Sequence, residues 1–142
     1  MSGKEFKRVL ILCTGNSARS QMAEGLLRHY GGEDFTVESA GIEPSFVRPE
    51  AIEAMRELGI DISGQRSKSS DEFNGQLFDY VITVCDNANQ HCPVFPAATQ
   101  RIHWGVADPA AVEGDNEARF QAFRAARDDL GTRLLEFIQQ NR

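Results

Sequence analysis

Long hydrophobic runs are missing from these 142 residues. The longest apolar stretch, Val9 to Cys13, falls far short of the roughly 20 residues a helix needs to span a bilayer. Met1 to Arg8 is short and polar, with no apolar signal core behind it. Cysteine is scarce, and the count of three is odd, which suits a reducing compartment better than a secreted disulfide framework. Positive charge is in deficit: 15 Lys and Arg against 21 Asp and Glu leave a net −6. A general nucleic-acid binder would show a basic face instead. Any anion site must therefore be made locally, from backbone dipoles and a few placed cations. The expectation is a cytoplasmic monomer with neither a membrane nor a nucleic acid as partner.

What is present is an ordinary globular composition, 41% hydrophobic and 25% charged, and residues 1–142 are read as one domain. Phe6 to Leu12 is compact and β-prone, and runs into a polar, small-residue loop from Cys13 to Ser20. Behind it Met22, Ala23, Leu26, Leu27 and Tyr30 repeat at helical spacing, closed by Gly31-Gly32. A second strand is expected at Phe35 to Ala40. A helix then starts at Pro49, buries Ala51, Ile52, Met55 and Leu58, and ends at Gly59. Asp79 to Val84 reads as a third strand and Arg101 to Trp104 as a short fourth. The segment from Asn116 to Gln140 reads as a long amphipathic helix with Phe120, Phe123, Leu130, Leu134 and Phe137 inward. Strands alternating with helices predict a doubly wound α/β domain, a four-stranded parallel sheet with helices on both faces.

In such sheets ligands bind outside the carboxyl ends of the strands. Cys13 follows the first strand, Cys85 the third and Asp108 the fourth, so the topology predicts that the three share one rim. Five residues separate Cys13 from Arg19. A short loop of this kind entering a helix turns successive N–H groups into one concavity with positive potential, and Arg19 closes it with a planar donor fork that suits a tetrahedral oxyanion. Gly15 permits close approach of the backbone, and Asn16 tolerates the left-handed conformation. The same field is expected to lower the Cys13 pKa below its ordinary ~8.5, with Ser17 and Ser20 adding hydroxyl hydrogen bonds to the thiolate. The bland alternative is a buried core cysteine and a surface arginine.

Cys85 and Cys92 are separated by six residues. As helix, that spacing puts their Cα atoms about 10 Å apart, whereas a disulfide needs roughly 7 Å or less. Bonding would require the segment to loop out, and Asn87, Asn89 and Pro93 are poor helix formers. The pair is read either as redox partners or as two unrelated buried thiols. A zinc site from Cys85, His91 and Cys92 has an unfavourable adjacent spacing. Asp108-Pro109 is either a simple turn or a fixed proton donor over the oxyanion. His29, His91 and His103 are read as solvent or packing residues, and Trp104 as core.

Taken together, Cys13-Thr14-Gly15-Asn16-Ser17-Ala18-Arg19-Ser20, the Cys85/Cys92 pair, and His103-Trp104-Gly105 leading to Asp108-Pro109-Ala110 resemble the thioredoxin-coupled arsenate reductases. These share the low-molecular-weight protein tyrosine phosphatase fold, and the resemblance covers nearly the whole chain. It implies arsenate as substrate, bound by Thr14 to Ser20, arsenic detoxification as the role, thioredoxin as reductant, and no cofactor. It further implies that Cys13 attacks arsenate while Asp108 assists departure of water. Cys85 then forms a disulfide with Cys13, and Cys92 takes over Cys85. Many relatives carry a cysteine where Ala18 stands. A tyrosine phosphatase is the alternative, but those enzymes place tyrosines where Ala110-Ala111 follow Asp108-Pro109, and have no use for Cys85 and Cys92. Many relatives also bind potassium beside the loop, through positions matching Asn16, Glu24 and Ser39. The fourth position falls at Lys68, or at Asp71 in a shifted register. At Lys68 the ammonium would replace the ion and bond to Glu24 and Asn16.

Overall fold

The structure is a computed structural model that describes residues 6–90 and 99–142. His91, Cys92 and Pro93 therefore lie outside the described residues. β1 (Lys7–Cys13) carries Val9, Leu10, Ile11 and Leu12, each at most 1% exposed. Neighbouring residues of a strand face opposite sides, so burial of all four means that both faces of β1 are covered, the situation of a central parallel strand. β1 lies between β2 (Phe35–Gly41) and β3 (Tyr80–Thr83), with β4 (Gln100–His103) beyond β3. All three pairings are parallel. The register sets Cys13 opposite Gly41 and Thr83 opposite His103, so the carboxyl ends of the strands make one rim.

The helices are α1 (Arg19–Gly31), α2 (Pro49–Arg56), α3 (Asp86–Gln90) and α4 (Asn116–Asn141). Asp115 caps α4 by accepting the N–H of Ala118 at 2.9 Å. Near its other end Phe137 packs on Tyr80, Phe35 and Trp104 at centroid distances of 5.0, 5.6 and 6.2 Å, which fixes α4 across the sheet. Trp104, expected in the core, is partly buried and packs against it. Gly25 lets α1 approach the segment after α2: a Cβ there would lie 2.6 Å from Ile62 Cγ2.

The strand limits differ from expectation by a residue or two. Phe6, for example, is 53% exposed and off the sheet. A larger difference concerns Leu58, expected in the core and found exposed. Gly59 takes a positive φ of 76°; its N–H reaches Arg56 O at 2.9 Å, and that of Ile60 reaches Met55 O at 3.1 Å. This paired-bond ending of α2 buries Ile60 in Leu58's stead and turns Leu58 outward. No helix among the described residues is long and apolar enough to cross a membrane.

Candidate active site

The loop between β1 and α1 is held from outside. Ile42 N–H donates to Cys13 O at 3.2 Å, Glu43 to Thr14 O at 2.8 Å, Ser45 to Gly15 O at 3.1 Å and Arg48 to Ser17 O at 2.9 Å. With its carbonyls taken up by residues 42–48, the loop is free to turn its N–H groups inward, the arrangement that makes an anion concavity. Asn16 has a φ of 48°, the left-handed conformation expected of it, and its side chain is fully buried. Its amide donates to Ser20 Oγ at 2.8 Å and Ser39 Oγ at 2.9 Å, and its Oδ1 accepts the backbone N–H of Lys68 at 2.9 Å. Gly41 was not foreseen as a site residue. A Cβ there would lie 2.7 Å from Thr14 O and 2.9 Å from Asn16 N, so only glycine lets the end of β2 press against the loop.

Cys13 and Cys85 arrive from β1 and β3, are both buried and free, and lie in hydrogen-bond contact. Thr14 Oγ1 is 3.2 Å from Cys85 Sγ, and Ala88 N–H donates to the same sulfur at 3.4 Å. The hydrogen bond with Cys85, and then burial, push the Cys13 thiol up, against the pull of Arg19. The same bond from Cys13 is the largest influence holding Cys85 down to about 5. Two thiols in contact share one proton and titrate as a pair. The expected depressed ionisation thus belongs to the pair, with the Cys85 thiol pulled down and the Cys13 thiol pushed up. The hydroxyl bonded to a thiol is likewise Thr14's; Ser20 serves Asn16 instead.

Arg19 donates from Nη1 to Val106 O at 2.9 Å and sets Nη2 3.8 Å from Asp108 Oδ2. Its Nε is buried without a hydrogen-bond partner, a donor that an oxyanion would satisfy. Asp108 caps the 3-10 turn Pro109–Ala111 through Ala110 N–H at 3.0 Å, so the turn forms with its carboxyl beside Arg19. Behind the loop, Glu24 is 3% exposed and accepts from Ser39 Oγ at 2.5 Å and Arg28 at 2.8 Å. Lys68 is buried, with its ammonium 3.7 Å from Glu24 and 3.8 Å from Glu38. The expected ammonium bond to Asn16 is replaced by the backbone N–H of Lys68, and Glu38 is the partner that sequence reasoning missed. His103, expected in solvent or packing, bonds to Thr83 Oγ1 at 2.8 Å and Asp86 Oδ1 at 2.9 Å.

A strand–loop–helix cradle for an oxyanion, bearing a cysteine and closed by arginine, defines a cysteine-based oxyanion enzyme of the phosphatase type. The chain matches the low molecular weight phosphotyrosine protein phosphatase family over residues 8–142, and it belongs to that family. An arsenate reductase of Halalkalibacterium halodurans is 47% identical over 94% of this chain and 96% of its own. A solved arsenate reductase in its phosphate-binding state superposes with a TM-score of 0.79 at 36% identity, covering 96% of this chain and 100% of that one. A thioredoxin-dependent arsenate reductase of Corynebacterium glutamicum covers 99% of this chain and 66% of its own, at 28% identity and a TM-score of 0.70.

Proposed function

We propose that this protein reduces arsenate to arsenite in the cytoplasm, with thioredoxin as the final reductant and residues 1–142 working as one domain. The observation that carries the reading is the contact between Cys13 and Cys85, which a phosphatase would not need. Arsenate binds in the loop of Thr14 to Ser20, with Arg19 supplying its free Nε. A proton shift along the shared hydrogen bond puts the thiolate on Cys13. Cys13 Sγ then bonds to arsenic while Asp108 protonates the departing oxygen as water. Cys85 attacks Cys13 Sγ; the sulfur–arsenic bond breaks with its electron pair on arsenic, so arsenite leaves and a Cys13–Cys85 disulfide remains. Cys92 attacks Cys85 Sγ, restoring Cys13, and a dithiol of thioredoxin reduces the Cys85–Cys92 bond. The pairing of two electrons from two thiols with one arsenate balances each turnover.

The test couples the protein to thioredoxin, thioredoxin reductase and NADPH. Arsenate is expected to start NADPH consumption, and its failure to do so would overturn the proposal. In Cys92→Ser, one equivalent of arsenate should release one arsenite and trap a Cys13–Cys85 linkage, found by non-reducing peptide mapping.

A further inference from the structure

Cys85 lies two residues beyond β3, and α3 begins with the next residue, Asp86. A helix start leaves its first N–H groups without intrahelical partners. In α3 the first turn has a specific task, since Ala88 N–H donates to Cys85 Sγ. Something must hold that turn. Asp86 Oδ1 lies 2.9 Å from His103 Nε2, and His103 Nδ1 lies 2.8 Å from Thr83 Oγ1. Thr83 and His103 are register partners on β3 and β4, so the imidazole stands on the rigid part of the sheet. Gly105 closes in behind: a Cβ there would be 3.8 Å from both Asp86 Oδ1 and His103 Nε2.

The chemistry of the bridge fixes its protons. A carboxylate only accepts, so Nε2 carries the hydrogen toward Asp86. Nδ1 then accepts from the Thr83 hydroxyl when the ring is neutral and donates to it when the ring is charged. Thr83–His103–Asp86 is therefore continuous in both charge states of the imidazole.

We propose that the Asp86–His103 pair is the fixed hinge of the redox segment, a positioning device that keeps the first turn of α3 on the Cys85 sulfur. The inference rests on the reading of Cys85 as the second thiol of the relay. While Cys85 faces Cys13, the hinge holds Ala88 N–H in place. When Cys85 turns to Cys92, the residues beyond Asp86 rearrange and the anchored end does not. Among the described residues neither His103 nor Asp86 bonds to the sulfur of Cys13 or Cys85; they act through the backbone of α3.

Charge and geometry predict opposite signs, which makes the test decisive. Removing the Asp86 charge would by itself lower the pKa of a neighbouring thiol, because a like charge disfavours the thiolate. Losing the hinge would raise it, because the Ala88 donor is released. With Cys13→Ser and Cys92→Ser as background, Cys85 is the remaining one of the three cysteines, and its thiolate absorbance can be followed against pH. Asp86→Ala is expected to raise the midpoint by about half a unit to one unit, which is up to tenfold less thiolate at a given pH. Asp86→Asn, which keeps an acceptor for His103 Nε2 and loses the charge, is expected to bring the midpoint back to the unsubstituted value or below it. His103→Ala should raise it most, since it leaves the carboxylate beside Cys85 uncompensated. The Asp86 side chain is 85% exposed, so its variants keep the fold. A lowered or unchanged midpoint in Asp86→Ala overturns the hinge. That result would leave arsenate-dependent NADPH consumption intact, whereas absence of consumption would overturn the reductase reading whatever the titration shows.

Discussion

Replacing Lys68 by alanine removes one of the two cations beside the buried carboxylate of Glu24, the other being Arg28. The Lys68 and Glu24 side chains are 7% and 4% exposed, and their charged atoms are 3.7 Å apart. At an effective dielectric near 20 that attraction is about 4 to 5 kcal/mol before desolvation is counted. Burying the ammonium offsets part of it. Glu24 also keeps Arg28 and the Ser39 hydroxyl as partners, so the variant does not leave a bare buried charge. The net loss is expected to be about 2 to 3 kcal/mol, a fall in Tm of roughly 6–9 °C for a chain of this size. Ser39 bonds both Glu24 and Asn16 and carries the loss into the loop, so arsenate turnover should fall as well. The assay is thermal melting in potassium against sodium at fixed ionic strength. On the reading that the Lys68 ammonium takes the ion's place, the unsubstituted protein should show no potassium-specific rise. Lys68→Ala should show one, about 1.4 kcal/mol when potassium is tenfold above its Kd. A potassium-specific gain in the unsubstituted protein, in Tm or in kcat/KM, would refute the reasoning. So would an unchanged Tm in Lys68→Ala.

Gly41→Ala drives a Cβ into the backbone of Thr14 and Asn16. It should cut kcat/KM about 100-fold through displacement of the loop, and wild-type kinetics would show that the contact is unimportant. Iodoacetamide labelling of Cys85 should fall only as pH drops through about 5; a midpoint near the ordinary ~8.5 would mean that the shared proton is not there. Glu57 is held down to about 2 by hydrogen bonds from Arg124 and Arg127. A depressed carboxyl contributes stability that is complete above its ordinary 4.5 and lost as pH falls through 2. Glu57→Gln should therefore flatten the acid limb of Tm against pH in that window, and an unchanged limb would contradict the pairing. In the oxidised protein, amide exchange of residues 87–90 should accelerate while Leu26 stays protected, and equal protection in both redox states would argue against loop-out.

Much of this protein is local, and local features were legible in the chain. The apolar run before Cys13, the helical spacing behind Arg19, Pro49 and Gly59 around α2, and the stripe of α4 each report a backbone preference or a burial period. Asn16 likewise announces its left-handed turn, and the alternation of strands and helices places Cys13, Cys85 and Asp108 on one rim. What the tertiary structure decided are the pairings between segments far apart in sequence. The shared proton of Cys13 and Cys85 depends on two sulfurs brought into contact from β1 and β3, so the site of the thiolate could not be read from the loop's own field. Leu58 faces outward because the turn at Gly59 gives its place to Ile60. Glu38 meets Lys68, and His103 meets Asp86, through side chains whose direction depends on register and loop path. Periodicity predicts which face a residue lies on; whether a partner waits there depends on three-dimensional packing.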